Sequence, residues 1–168
     1  FFMDEFGVDI DNLWLPDVFG YSAALPQILQ KSGIKSFLTQ KLSWSQFNNF
    51  PHHTFKWQGI DGSEVLTHFP PENTYNSELD TEFLMPAQTH FKEKQVLDEF
   101  ISLFGVGDGG GGPKPENIEL GQRLANLESV PQVKFGTAKS FFHRLDNISP
   151  KLKKWVGELY LEFHRGTF

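Results

Sequence analysis

The chain has no cysteine, no long apolar run and no block of positive charge, and each absence removes a class of function. Without cysteine there are no disulfides and no thiolate metal sites, which is compatible with a reducing, cytoplasmic compartment. No apolar stretch approaches the ~18 residues that a membrane-crossing helix needs, so a membrane partner is not expected. The formal net charge is −6. With no Lys/Arg block to track a phosphate backbone, nucleic acid is not an expected partner either. The short Lys151-Leu152-Lys153-Lys154 cluster reads as a solvated helix end or turn. No signal peptide is visible, and both ends, Phe1 and Phe168, read as cuts inside elements already under way. What the chain has in quantity is aromatic side chains, with 18 Phe and 4 Trp in 168 residues. Such rings line sugar sites, but core packing is the plainer use for most of them.

The order of elements is legible from local signals. Residues 1–6 read as a helix end stopped by Gly7. Leu13-Trp14-Leu15 is a short strand halted at Pro16-Asp17. Ser22 can cap a helix through Leu25, Ile28 and Leu29, ended by Gly33. Residues 36–42 form the next predicted strand, and 54–58 with 65–69 form a hairpin about Gly59-Ile60-Asp61-Gly62. A polar loop over 70–80 precedes a helix at 87–100. The apolar run 101–106 reads as a buried strand emptying into Gly107-Asp108-Gly109-Gly110-Gly111-Gly112-Pro113. Pro115 opens a helix through Leu120, Leu124 and Leu127. A strand at 133–135, a helix at 137–145 and a strand at 155–163 follow. Strand and helix alternate, as in α/β folds with mainly parallel strands. In such folds functional groups gather at the carboxyl ends of strands, where Asp17, Lys41 and Asp108 all fall.

Asp17, between an apolar strand and a helix start, could serve as nucleophile, base or metal ligand; the plainer use is a helix cap, although Ser22 can take that task. Asp108 sits in a glycine run that lets a ligand approach the main chain. That run lacks the Lys-Ser/Thr of a phosphate loop and the spacing of a dinucleotide site; the plainer reading is a flexible turn. Two carboxylates facing one pocket are what glycoside hydrolysis requires, ~5–5.5 Å apart for retention and ~6.5–9.5 Å for inversion. The adjacent His52 and His53 read as surface or loop residues. His68 either points into the cleft or is buried with one hydrogen bond. His90 and His143 read as exposed on helices, and a sugar contact is plausible for His164. No His-x-x-x-His or His-x-Glu pair occurs, so the chain alone does not offer a complete metal site.

Four strings carry a resemblance: residues Trp14 to Ile28 around Leu15-Pro16-Asp17-Val18-Phe19-Gly20-Tyr21-Ser22; Phe37-Leu38-Thr39-Gln40-Lys41-Leu42-Ser43-Trp44 with Phe50-Pro51-His52-His53-Thr54-Phe55; the Gly105 to Pro113 glycine run; and Gly157 to Phe168. In this order they resemble the catalytic domain of glycoside hydrolase family 38 α-mannosidases, in the cytosolic-type branch. The resemblance implies that residues 1–168 are part of one catalytic domain, truncated at both ends, on an incomplete seven-stranded (β/α) barrel. It implies a retaining, metal-dependent α-mannosidase acting on terminal α-mannosides of oligosaccharides, with one divalent metal, zinc or cobalt. Asp17 matches the nucleophile and a metal ligand, and Asp108 the acid/base. Lys41, Tyr75 and His164 match substrate-contacting positions. A donor has to be protonated near neutrality, so Asp108 is expected to be raised by burial or neighbouring charge. The remaining metal ligands of the family lie outside residues 1–168, so this piece alone is expected to be inactive. A homo-oligomer of the longer protein is compatible with all of this. The alternatives are a non-catalytic carbohydrate-binding relative of the same fold and a metal-dependent polysaccharide deacetylase.

Overall fold

A computed structural model describes residues 1–163. Its centre is a five-stranded sheet in the order β1 (Asn12–Trp14), β3 (Ser36–Leu38), β5 (Glu64–His68), β4 (Thr54–Gln58) and β6 (Lys154–Val156). All neighbouring pairs are parallel except the β4/β5 hairpin. A second, two-stranded antiparallel sheet joins β2 (Gly20–Tyr21) to β7 (Leu159–Tyr160). The larger sheet is open, with β1 and β6 at its edges, so the strands show a mixed α/β fold with mostly parallel pairing and do not show a barrel.

Successive side chains of a strand point to opposite faces, and here both faces are covered. Phe37 and Val65 belong to one core with Tyr21, Leu29, Phe55 and Trp57. Their chain neighbours Leu38 and Leu66 belong to another, with Phe91, Phe141, Phe142 and Leu145. Helix α2 (Leu25–Lys31) supplies Leu29 to the first core, and α5 (Ala138–Leu145) supplies the phenylalanines of the second. Full burial on both sides is why these strands read as continuous apolar runs. No helix among the described residues is long and apolar enough to cross a membrane.

Local signals placed several ends well. Helix α1 (Phe2–Phe6) stops at Gly7 with φ 64°, and Thr137 caps α5 by accepting the Ser140 N–H at 3.2 Å. Other expectations are corrected. Helix α3 spans Thr81–His90, not 87–100: Asp80 caps it by accepting from the Phe83 N–H at 3.0 Å, and Pro86 lies inside it. The strand expected at 36–42 leaves its ladder after Leu38 and turns into a 3-10 segment, Lys41–Trp44. Residues 101–106 form no strand and are only partly buried; one bridge, Phe104 to Ser77, is their only pairing among the described residues. Their apolar groups instead pack sideways, Ile101 and Leu103 lying against the second core. Residues 133–135 likewise join no ladder; Phe135 packs over Gly121 of α4 (Pro115–Leu124), where a Cβ would come within 2.5 Å of its ring. The last expected strand is split between β6 and β7 at Gly157, whose φ is 105°.

Candidate active site

The carboxyl end of β1 is fixed by its neighbours on β3. Leu15 N–H donates to Leu38 O at 3.0 Å, continuing the ladder by one residue. The Tyr21 hydroxyl donates to Leu15 O at 3.2 Å and pairs with Thr39 Oγ1 at 2.5 Å. Gln40 Nε2 donates to Pro16 O at 3.3 Å. Burial pushes the Tyr21 hydroxyl up to about 12, and the nearby Asp17 adds to the rise while Thr39 opposes it. Tyr21 therefore stays a neutral hydrogen-bonding strut. Asp17 follows directly, and its Oδ1 is ion-paired with Lys41 Nζ.

Lys41 is almost wholly buried, whereas about half of the Asp17 side chain, 52%, faces solvent. The ammonium also lies 3.5 Å from the centre of the Trp44 ring and 5.3 Å from that of Phe19. A charge so enclosed needs these partners, because an isolated buried ammonium is strongly unfavourable. The geometry points Lys41 at the carboxylate. Trp44 and Phe19 were visible in the sequence strings but no role was read for them; the three-residue spacing of Lys41 and Trp44 becomes informative only once the 3-10 turn is known.

Asp17 and Asp108 line one cleft of about 370 Å³, together with Trp14, Tyr75, Asn76 and Gly107. Three of the residues singled out from the sequence, Asp17, Tyr75 and Asp108, are thus brought to one place, and Lys41 stands behind the first. Asp108 is exposed, with φ 44°, so the burial expected around this carboxyl is not provided by the described residues. His164 lies outside the described residues.

Residues 72–78 and 101–108 form the wall that carries Asp108. Ser77 N–H donates to Leu103 O at 2.8 Å, and Asn76 Oδ1 accepts the Gly107 N–H at 2.8 Å. Below them Ser77 Oγ donates to Glu72 Oε1 at 2.9 Å, and burial raises the Glu72 carboxyl. None of these polar residues was singled out from the sequence; Asn76 and Ser77 acquire their roles from a segment roughly thirty residues away.

His52, His53 and His68 serve the interior, not the cleft. His53 is buried, and its Nδ1 accepts the Lys92 N–H at 3.1 Å; burial, with Lys92 and the neighbouring histidines, pulls it down to about 4. His52 Nδ1 lies 3.2 Å from Glu93 Oε1, and Glu93 Oε2 accepts the N–H groups of His53 at 3.0 Å and Thr54 at 2.9 Å. His52 and His53 lie in the loop before β4, as one of the expected alternatives had it, but His53 is buried and not at the surface, and the two tie the start of β4 to residues 92–93. His68 is fully buried and held well below its usual range by that burial. Its Nε2 accepts the Ile101 N–H at 3.2 Å, which leaves Nδ1 to donate to Thr54 Oγ1 at 2.8 Å. His143 is exposed, as expected, with Nε2 2.8 Å from Asp11 Oδ2.

No group of three His, Asp or Glu side chains that could hold a metal ion occurs among the described residues. Asp17 offers one carboxylate, already engaged by an ammonium, so these residues alone do not fit a divalent ion.

The fold has a counterpart in the crystal structure of an alpha-mannosidase from Enterococcus faecalis V583. The TM-score is 0.69 at 16% identity, over 94% of this chain and 19% of that one. The glycosyl hydrolases family 38 N-terminal domain matches residues 1–158, and the chain belongs to that family. It is 49% identical over 168 residues to Alpha-mannosidase G of Dictyostelium discoideum and 46% identical over 168 residues to Alpha-mannosidase 2C1 of Homo sapiens. It is 41% identical over 177 residues to Alpha-mannosidase of Saccharomyces cerevisiae. In each case the whole chain aligns with 16% of the relative's length.

Proposed function

We propose that the protein carrying this chain is a retaining, metal-dependent α-mannosidase that hydrolyses terminal α-mannosides of oligosaccharides in the cytoplasm. The observation that carries the reading is the single cleft lined by Asp17 and Asp108, in a chain of glycosyl hydrolase family 38. Asp17 attacks the anomeric carbon as the bond to the departing oxygen breaks, and Asp108 gives that oxygen its proton. In the second half a water attacks the same carbon, Asp108 takes its proton, and the ester to Asp17 is released. Lys41, being buried against Asp17, orients the nucleophile. Tyr75 flanks the sugar from the Asp108 side, and His164 is assigned to the substrate from family resemblance alone. One divalent metal, zinc or cobalt, belongs to the reading; Asp17 would hold it together with ligands from outside residues 1–168, and it would supply a positive charge for the sugar hydroxyls. The piece by itself is expected to turn over nothing.

The test is hydrolysis of a chromogenic α-mannoside by the full-length protein, with and without added zinc or cobalt, beside Asp17→Asn. A fluoromannoside is used in parallel to trap the ester. Metal-dependent turnover lost in Asp17→Asn, with the adduct on Asp17, is the expected result. Near-normal activity in that variant, or an adduct elsewhere, overturns the nucleophile assignment. No turnover by the folded, metal-loaded protein turns the reading to a non-catalytic carbohydrate-binding relative.

A further inference from the structure

Asp108 stands in a chain segment that offers little to hold it. A Cβ built on Gly109, Gly110 or Gly112 would meet nothing within 4 Å, although one on Gly111 would come within 2.9 Å of Val106 Cβ, so the downstream arm packs loosely except at Gly111. Asp108 has a left-handed φ of 44°, a conformation that aspartate adopts more readily than most residues but at some cost in strain. The hydrogen-bonded constraint lies on the other side. Ser77 N–H to Leu103 O and the Ser77–Phe104 bridge lay the two segments side by side, and one residue from Asp108 the Gly107 N–H ends on Asn76 Oδ1 at 2.8 Å. Packing reinforces that bond, since a Cβ on Gly107 would come within 2.6 Å of the same Asn76 oxygen. The Asn76 backbone is in turn held by its N–H donating to Thr74 Oγ1 at 3.0 Å.

We propose that Asn76 is a positioning residue for the acid/base: its amide oxygen holds the Gly107 peptide and so sets where the Asp108 carboxylate stands across the cleft from Asp17. The inference rests on the acid/base reading of Asp108. Asn76 moves no proton in it. Its effect is on the distance between Asp108 and the departing oxygen, to which general-acid catalysis is steeply sensitive.

That sensitivity gives a readout that mere loss of structure does not. A dinitrophenyl mannoside departs with little protonation, whereas an unactivated mannobiose needs a full proton. In the full-length protein, Asn76→Ala should lower kcat/KM for mannobiose by about 10²-fold while leaving that for dinitrophenyl mannoside within a few-fold. Asn76→Asp, which keeps an acceptor oxygen at the same reach, should recover most of the mannobiose activity. If the alanine variant does not fold, Asn76→Leu, similar in branched shape and without an acceptor, replaces it. Equal losses on both substrates, or full mannobiose activity without the acceptor, overturn the proposal. Asp108→Ala run alongside separates the two levels. Leaving-group dependence there but not in Asn76→Ala overturns the positioning role alone; its absence in Asp108→Ala overturns the acid/base reading and the inference with it.

Discussion

Replacing Gly107 by alanine puts one methyl where the cleft wall has no room. A Cβ there would stand 2.2 Å from Tyr75 Cε2, 2.7 Å from Tyr75 Cδ2 and 2.6 Å from Asn76 Oδ1. Ordinary contact begins near 3.4 Å. Either the Tyr75 ring withdraws by roughly 1 Å or the Gly107 peptide backs away from Asn76, and overpacking of this kind costs about 1–3 kcal/mol. Both responses disturb the same place, since Tyr75 lines the cleft and the peptide carries Asp108. A displacement of about 1 Å in a reacting group costs about 10²-fold in rate. The assay is kcat/KM on an unactivated mannoside together with thermal unfolding, both in the full-length protein. Gly107→Ala should fold, melt somewhat lower and lose about 10²-fold in kcat/KM. In a Tyr75→Ala background the ring is gone and only the amide clash remains, so the same methyl should cost less stability there. Normal activity and normal melting in Gly107→Ala would refute the reasoning, and strict additivity in the double variant would show that the ring is not the obstacle.

Two further outcomes concern the scaffold. His53 is held at about 4 chiefly by burial, against a value near 6.5 in an unfolded chain. The unfolded chain therefore takes up more protons in that window, so stability is full above about pH 6.5 and falls as pH drops toward 4, by about 3 kcal/mol in all. His53→Gln, which keeps an acceptor for the Lys92 N–H and does not titrate, should flatten this acid limb in thermal melts of the full-length protein; an unchanged limb counts against the assignment. Glu93→Ala removes the acceptor for the His53 and Thr54 N–H groups and should destabilise by about 3 kcal/mol. Amide hydrogen exchange at His53 and Thr54 should accelerate strongly, and unaltered protection would contradict the role given to Glu93.

What could be read from the sequence was what is encoded locally. The Gly7 stop, the β4/β5 hairpin and the helix at 137–145 depend on residues within a few positions of each other, and they were placed within a residue or two. Asp17 and Asp108 were legible because each follows an apolar run, even though the second run forms no strand. Apolar composition does not distinguish a strand from a coil packed against a core, and residues 101–106 are the latter. The helix expected at 87–100 lies earlier, with Asp80 capping it and Pro86 inside it. The polar links that shape the site were hidden by distance along the chain. Asn76 meets a peptide 31 positions away, and Glu93 meets one 40 positions away. His53 looked like a surface residue because nothing nearby in sequence announces that residues 91–93 will cover it.

The two carboxylates are supported in opposite ways, and this bears on how the site fails. Asp17 stands just after a paired strand, with Tyr21 of β2 and with Gln40 and Lys41, which follow β3, packed beside it, so the side chains that aim it also belong to or border the core. Substitutions around Asp17 should therefore lower stability and activity together. Asp108 is exposed on a glycine-rich arm tied to residues 74–77 by a few hydrogen bonds outside both cores. Removing one of those bonds leaves the packed interior intact while changing where a carboxylate stands, and placement within about 1 Å matters more to proton transfer than to folding. In the roles proposed for them, Asp17 as a nucleophile that must meet one carbon gains from a rigid mount. Asp108 as an acid/base that gives a proton to one oxygen and later takes it from another tolerates a looser arm, provided that one contact keeps it in register.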